Sequence, residues 1–206
     1  MSATDTIFYI IILIMSVVVH EVSHGFMAER FGDKTARFAG RLTLNPLKHL
    51  DMFGSIILPG LLIITHAPFL FGWAKPVPYN PNNLTDKRWG EFWVAAAGIL
   101  ANFFIAVIFG LIIRFSASFA LPDSFYTITS TIVITNLVLA LFNLVPIPPL
   151  DGSKILFTFL PRSFYGTMAA LERYSFILLI LFVVYFSNIL FPIMAFLFHL
   201  IAGIAI

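Results

Sequence analysis

Residues 17–26 read VVVHEVSHGF and place two histidines and a glutamate within a run that is otherwise apolar enough to cross a membrane. Each ionisable group at the centre of a bilayer costs about 3 kcal/mol on insertion scales. Such groups are therefore retained where they pair with one another or take part in function. The stretch predicts a functional site inside a membrane protein.

The composition of the whole chain also indicates a membrane protein. Of its 206 residues, 60% are hydrophobic and 11% are charged, whereas a soluble domain has about 45–50% apolar and about 25% charged residues. The net charge of +2, with no basic tract, does not favour nucleic-acid binding. Cysteine is absent, which excludes disulfides and thiolate metal ligands. The length fits a single membrane-embedded domain, residues 1–206.

The distribution of apolar stretches predicts an all-α multi-span membrane protein with about four to six transmembrane helices, since about 20 apolar residues span a bilayer. The core helices are predicted at about 7–31, 92–115 and 128–150. A C-terminal helical region at 174–206 is interrupted near Pro192, which predicts either two short helices or one kinked helix.

A segment between the first two core helices, about 37–80, is predicted to re-enter the membrane or to lie on it. Its apolar part, 53–71, is broken by Pro59 and Pro68. Lys and Arg follow the first helix, precede the second and follow the third, which places these regions in the cytoplasm if 53–71 does not cross. Alternating apolar and polar residues at Arg37–Leu44 predict a strand-like stretch on the cytoplasmic side.

The polar residues of the opening stretch form the pattern H-E-x-x-H, His20-Glu21-x-x-His24. Positions i and i+4 of a helix lie on one face about 6 Å apart, so both imidazoles can hold one metal ion. Glu21 beside them can take a proton from metal-bound water. The pattern also occurs by chance on solvated helices, but a membrane helix disfavours that alternative, and a structural ion pair would not need this spacing.

A third protein ligand has to come from another part of the chain. Met27 and Arg30 stand where the longer pattern H-E-x-x-H-x-x-G-x-x-H has Gly and His. Glu29 lies about half a turn round the helix from His20, so it faces away from the histidines. The best candidate is Asp151 in NLVPIPPLDG, residues 143–152, because three prolines should unwind the helix there and fix the carboxylate. The alternative is a helix end at the water boundary. Depth in the membrane favours the role as a ligand. At a rise of 1.5 Å per residue, His20 and Asp151 both lie in the cytoplasmic half of the membrane.

The combination of HEVSH with NLVPIPPLDG resembles the site-2 proteases, which are zinc metalloproteases that cleave substrates within the membrane. Three further matches are GRLTLNPLKHLD at 40–51, GWAKPVPYNP at 72–81 and AAAGILANFF at 95–104. The resemblance runs from about residue 15 to about residue 160. The short chain is similar to a minimal form of the family without PDZ or CBS domains.

The resemblance implies a Zn²⁺ cofactor bound by His20, His24 and Asp151, with Glu21 as the catalytic base. It implies an intramembrane zinc metalloendopeptidase that hydrolyses peptide bonds within or near transmembrane segments, as in regulated intramembrane proteolysis. The alternative is a catalytically inactive zinc-binding membrane protein or a transporter. A transporter would be expected to have more acidic or histidine residues along several spans, and an inactive relative would usually have lost Glu21 or a ligand.

The resemblance also implies that Gly98, Asn102 and Asn143 line the site, where the two amides would bind substrate. They could orient the substrate backbone or stabilise the oxyanion, and the alternative for each is packing between helices. His49 and His66 fall outside the motifs and are expected at the surface or the membrane interface rather than as ligands.

The expected partners are membrane-protein substrates with a transmembrane segment and the lipid bilayer, without nucleic acid. A homo-oligomer or a regulatory membrane partner is left open. The expected location is a prokaryotic plasma membrane, with the active site toward its cytoplasmic half.

Overall fold

A computed structural model describes residues 3–65, 74–116, 119 and 121–205, and within these ranges the regular structure is entirely helical. The α-helices are α1 Ala3–Arg30, α2 Thr35–Phe38, α3 Leu58–Ile64, α4 Lys87–Ser116, α5 Asp123–Leu144, α6 Asp151–Phe159, α7 Tyr165–Arg173 and α8 Ser175–Ala202. Three short 3₁₀ helices lie at Pro46–Lys48, Pro81–Asn83 and Arg162–Phe164, and a π-helix lies at Met52–Ile57.

Three of the described helices, α1, α4 and α5, are long and apolar enough to cross a membrane. A fourth span is added if Gly166–Arg173 and Ser175–Tyr185, which are bent by 69° at a short break, are counted as one. The prediction of an all-α multi-span membrane protein is confirmed, and the described residues contain three spans, or four with the bent pair, where about four to six were expected.

Helix α4 lies at the centre of the bundle and contacts α1, α5, α6 and α8. Its N-terminal half carries consecutive small buried residues at 95–98, AAAG, which allow the backbone of α1 to approach closely. Its C-terminal half packs with α5 and α8 in an apolar cluster that includes Ala106, Val133, Leu137 and Phe198. The small residues thus bring α4 against the part of α1 that carries the histidines.

The third core helix is shorter at its C-terminal end than predicted, because α5 ends at Leu144 rather than at residue 150. The proline-rich residues 145–150 are not helical, as the three prolines predict, and Asp151 begins a new helix, α6. In the C-terminal region, α8 is one helix of 28 residues that contains Pro192, not two short helices.

The expectation of a strand-like stretch at Arg37–Leu44 is wrong. Residues Thr35–Phe38 form the single helical turn α2, and residues 41–44 have no regular structure. The turn begins because the Asp33 carboxylate accepts hydrogen bonds from the backbone and the hydroxyl of Thr35. It ends at Gly40, whose φ of +62° favours glycine. Local hydrogen bonding therefore overrides the alternating pattern.

Helical residues 52–64 in the predicted re-entrant segment extend at most about 20 Å at 1.5 Å per residue, less than the hydrocarbon core of about 30 Å. Residues 66–73, which include His66, lie outside the described residues, so re-entry stays a prediction. His49 is 2% exposed and its Nε2 lies 2.9 Å from the carbonyl oxygen of Thr43. The expectation that His49 lies at the surface is therefore wrong.

Asp33 joins α2 to the residues before α4. Its buried carboxylate accepts hydrogen bonds from the backbone N–H of Asn80 at 2.6 Å and from the side-chain amide of Asn83 at 2.9 Å. Burial alone would raise the pKa of Asp33, but the hydrogen bonds from Thr35, Asn80 and Asn83 outweigh it and hold the pKa below its usual value. The charged form of Asp33 therefore stabilises this junction.

Candidate metal centre

His20 and His24 lie one turn apart on α1, and both side chains are buried. Their ring centroids are 4.6 Å apart and the rings meet edge to face. The Nε2 atom of each lies 3.1 Å from the same oxygen of Asp151, Oδ2. The structure thus brings the three sequence-predicted ligands together, although 131 residues separate His20 from Asp151.

The break between α5 and α6 delivers Asp151 to this point. A Cβ atom on Gly152 would lie 2.1 Å from the carbonyl oxygen of Leu144, so only glycine allows the start of α6 to lie against the end of α5. Asp151 is in the first turn of α6, where the helix dipole favours a negative charge. Its other oxygen, Oδ1, lies 3.9 Å from Lys154 Nζ. The helix dipole and Lys154 both favour the charged form of this carboxylate.

Helix α4 contacts the histidines at Gly98. A Cβ atom there would lie 2.6 Å from His20 Cε1 and 2.6 Å from His24 Nε2, closer than real Cβ contacts. Gly98 therefore lines the centre, as the resemblance implies, by leaving space for both imidazoles.

The hydrogen-bond partner of His24 determines the tautomer of its neutral ring. His24 Nδ1 lies 2.6 Å from the carbonyl oxygen of Val94. Because a carbonyl only accepts, Nδ1 carries the hydrogen and the neutral ring has its lone pair on Nε2, which faces Asp151. A lone pair opposite a carboxylate oxygen requires either a proton or a cation between them.

The donor set fits zinc. Imidazole nitrogen and carboxylate oxygen are zinc ligands, and two ligands about 2.0–2.1 Å from a tetrahedral ion lie about 3.4 Å apart. The observed separations of 3.1 Å are close to this value. Glu21 is a second carboxylate within reach, since ligand atoms of His20, Glu21 and His24 all lie within 4.8 Å of one another. Asp151 could be the third ligand, since one of its oxygens is equally close to both imidazoles.

Glu21 is half-buried and makes a contact with a different segment. Its Oε2 accepts a hydrogen bond from the backbone N–H of Val77 at 2.9 Å. Pro76 and Pro78 flank Val77 and have no N–H, so Val77 supplies the one amide donor of this tripeptide. One carboxylate oxygen of Glu21 is thus oriented by the extended chain before α4.

The two asparagines expected to bind substrate are placed differently from each other. Asn102 is fully buried, and its Oδ1 lies 2.7 Å from His20 Nδ1. Its amide nitrogen donates to the carbonyl oxygen of Ser16 at 3.3 Å and to Asn136 Oδ1 at 2.8 Å. Asn143 is half-buried and donates to the carbonyl oxygen of Leu139 in its own helix at 3.0 Å. A substrate contact for either amide stays a prediction.

Sequence reasoning missed Ser16, Val94 and Asn136 as residues around the centre. Val94 contributes a backbone atom, which leaves no trace in a side-chain pattern. Asn136 had a usable signal, because it is one of two asparagines in an apolar helix, and such residues bond across helices.

Comparison with known proteins places the chain among zinc metalloproteases. The family described as Peptidase family M50 matches residues 8–133 and 115–187. "Putative zinc metalloprotease YwhC" of Bacillus subtilis is 39% identical over 183 residues, which cover 85% of this chain and 80% of that protein. "Putative zinc metalloprotease Rip2" of Mycolicibacterium smegmatis is 32% identical over 169 residues, 81% of this chain and 62% of that protein.

A third relative is archaeal. "Zinc metalloprotease MJ0392" of Methanocaldococcus jannaschii is 25% identical over 154 residues, which cover 75% of this chain and 34% of that protein. The chain thus spans most of the Bacillus relative but less than two thirds of the other two. No solved structure matches the chain. The matches over most of its length show that the chain belongs to Peptidase family M50, as an integral-membrane metalloprotease with zinc as its cofactor.

Proposed function

We propose that this protein is an intramembrane peptidase that hydrolyses peptide bonds within or near the transmembrane segments of membrane-protein substrates, in regulated intramembrane proteolysis. One observation carries the proposal: the H-E-x-x-H residues lie in a helix apolar enough to cross a membrane, and their partner Asp151 meets them there. A peptidase with its reactive groups at this position acts on peptide bonds that also lie in the membrane.

In the proposed site, His20, His24 and Asp151 hold the zinc ion. Bound zinc would act as a Lewis acid and lower the pKa of water to about 7. Glu21 accepts the proton of the attacking water and passes it to the leaving amide nitrogen. The Val77 N–H holds Oε2 of Glu21, which leaves Oε1 for the proton transfer.

Water would reach this site from the cytoplasmic side. A cleft of about 960 Å³ is lined by Lys87, Arg88, Glu91 and Lys154 among others, and charged walls of this kind admit water. Lys154 also lies 3.9 Å from Asp151, so the cleft borders the proposed ligands. The lysines and arginines near α6 and α7 favour the cytoplasm for this face. The bacterial and archaeal relatives favour a prokaryotic plasma membrane for the protein.

A substrate segment has to lose helical hydrogen bonds before cleavage, because each helical carbonyl is already bonded to an amide. The unwound segment then exposes its scissile carbonyl near Glu21. The substrate is therefore a membrane segment with helix-destabilising residues near the cleaved bond, embedded in the surrounding lipid.

The test compares wild type with Glu21→Gln in detergent and in liposomes, using a reporter whose cleavable bonds lie in its transmembrane segment. Wild type should cut the reporter, and Glu21→Gln should abolish cleavage while the zinc content stays near one ion per chain. A matched soluble peptide with the same bonds should be a poor substrate. Cleavage of the soluble peptide alone would contradict the intramembrane role, and zinc binding without any cleavage by wild type would favour an inactive zinc-binding protein.

A further inference from the structure

A closed network of buried side chains lies behind His20, on the side away from Asp151. Ser16, Asn102 and Asn136 come from α1, α4 and α5, and both asparagines are 0% exposed. Each asparagine uses its oxygen as an acceptor and donates two hydrogen bonds. The network therefore leaves none of its amide hydrogens without a partner.

The orientation of Asn136 is fixed at one end of this network. Its Nδ2 donates to the carbonyl oxygen of Ile132 at 2.9 Å and to Ser16 Oγ at 2.9 Å. Because the Ile132 carbonyl only accepts, turning the amide over would place two acceptor oxygens against each other. Asn136 must therefore present its oxygen, and not its nitrogen, to Asn102.

The orientation of Asn102 follows from that of Asn136. Its Nδ2 donates to Asn136 Oδ1 at 2.8 Å and to the carbonyl oxygen of Ser16 at 3.3 Å, and both partners are acceptors. The amide oxygen of Asn102 consequently faces His20 Nδ1 at 2.7 Å. An acceptor at this distance requires the hydrogen of neutral His20 to be on Nδ1 and the lone pair to be on Nε2.

We infer that Asn102 and Asn136 are positioning residues that select the tautomer of His20 and so prepare its Nε2 for zinc. The inference rests on the proposed role of His20 as a zinc ligand. His24 obtains the same tautomer directly from the Val94 carbonyl, whereas His20 obtains it from backbone carbonyls through two side-chain amides. Asn136 thus acts on the metal centre through Asn102, to which it is hydrogen-bonded.

The first measurement uses wild-type protein labelled with isotopic nitrogen in histidine. The His20 signals are assigned as those missing from His20→Gln. In metal-free protein at alkaline pH, where imidazoles are neutral, the ring-nitrogen chemical shifts should show the hydrogen on His20 Nδ1. A hydrogen on Nε2 would overturn the inference, whether or not any variant folds.

The second measurement compares variants of the network. Asn136→Leu removes the anchor at Ile132, so Asn102 can turn over and His20 should become a mixture of tautomers. Zinc affinity, measured by competition with a chelator, should fall about 10–100-fold, as for other outer-shell partners of metal-bound histidine. Ser16→Ala retains both backbone carbonyls and should keep the Nδ1–H form.

The matched control is Thr129→Val. Thr129 is a buried polar residue on α5, like Asn136, but its hydroxyl donates to the Phe125 carbonyl outside the network. It should change neither tautomer nor zinc affinity. An unchanged His20 tautomer in folded Asn136→Leu would overturn the inference. If zinc does not perturb the His20 signals of wild type at all, the proposed function fails instead, while the metal-free tautomer still tests the network.

Discussion

The backbone N–H of Val77 donates to Glu21 Oε2 over 2.9 Å, across 56 residues of chain. The contact places an extended segment, and not a second side chain, beside the proposed catalytic base. Because Pro76 and Pro78 lack amide hydrogens, Val77 is the residue of this tripeptide that can donate. The tripeptide therefore has a role in the site that its side chains do not reveal.

Replacement of Val77 by proline should lower kcat about 10–150-fold, because a hydrogen bond to a charged group contributes about 1.5–3 kcal/mol. Val77→Ala keeps the N–H and serves as the control for lost packing. Zinc content should be unchanged in both variants. Equal losses of kcat in the two variants would show that packing of Val77, and not its N–H, supports catalysis.

Gly98→Ala should weaken zinc binding and reduce cleavage. The added Cβ would lie 2.6 Å from both imidazoles, and overpacking of this kind costs about 1–3 kcal/mol, which corresponds to about a 5–150-fold weaker affinity. Gly166→Ala on α7 is the control, because its Cβ would meet nothing within 4 Å. Full zinc affinity in Gly98→Ala would show that the histidines can move away from α4.

Zinc should stabilise the folded protein through Asp151. At a free zinc concentration 100 times the dissociation constant, binding adds about 2.7 kcal/mol to the free energy of unfolding. A chelator should remove this contribution and so lower the melting temperature. Asp151→Asn should lose most of the zinc-dependent shift. Asp123→Asn, an exposed aspartate at the start of α5, should retain it. A full zinc-dependent shift in Asp151→Asn would show that another carboxylate is the third ligand, and Glu21 would be the first candidate.

Asp33 should contribute to stability against acid. Its folded pKa lies below its usual value of 3.8, so its contribution is present above that value and is lost as the pH falls through the folded pKa. Asp33→Asn should therefore lower the melting temperature at neutral pH and flatten its decline below about pH 4. The difference between the variant and wild type should narrow in acid, with Asp123→Asn as the control. If the difference in melting temperature stayed constant across this pH range, the contribution of Asp33 to stability would not depend on its charge.

The candidate ligands could be recognised in the sequence because ionisable side chains are unfavourable in the hydrocarbon core of a membrane. His20, Glu21 and His24 stand out in an apolar helix, and the prolines before Asp151 predict the break that the structure contains between α5 and α6. Helix rise also predicts that Asp151 lies near the histidines, since it converts residue number into position in the membrane.

Other features could not be obtained from pattern alone. Arg37–Leu44 alternates like a strand, but the local hydrogen bonds from Thr35 to Asp33 start a helical turn instead. The hydrogen bond from the Asn80 N–H to Asp33 comes from a distant segment, which the local pattern does not contain. The amide network behind His20 depends likewise on how three helices face one another. Periodicity predicts that a helix exists, whereas the rotation of each helix is decided by packing.

The separation of 131 residues between His20 and Asp151 has a consequence for biogenesis. At roughly 5–20 residues per second, a ribosome finishes the second half of the centre roughly 7–26 s after the first. During that interval the nascent first helix carries two imidazoles and a carboxylate without their final counterpart. The isoleucines and valines around these residues favour its insertion during that interval, and the proposed three-ligand centre can form only after residue 151 has been synthesised.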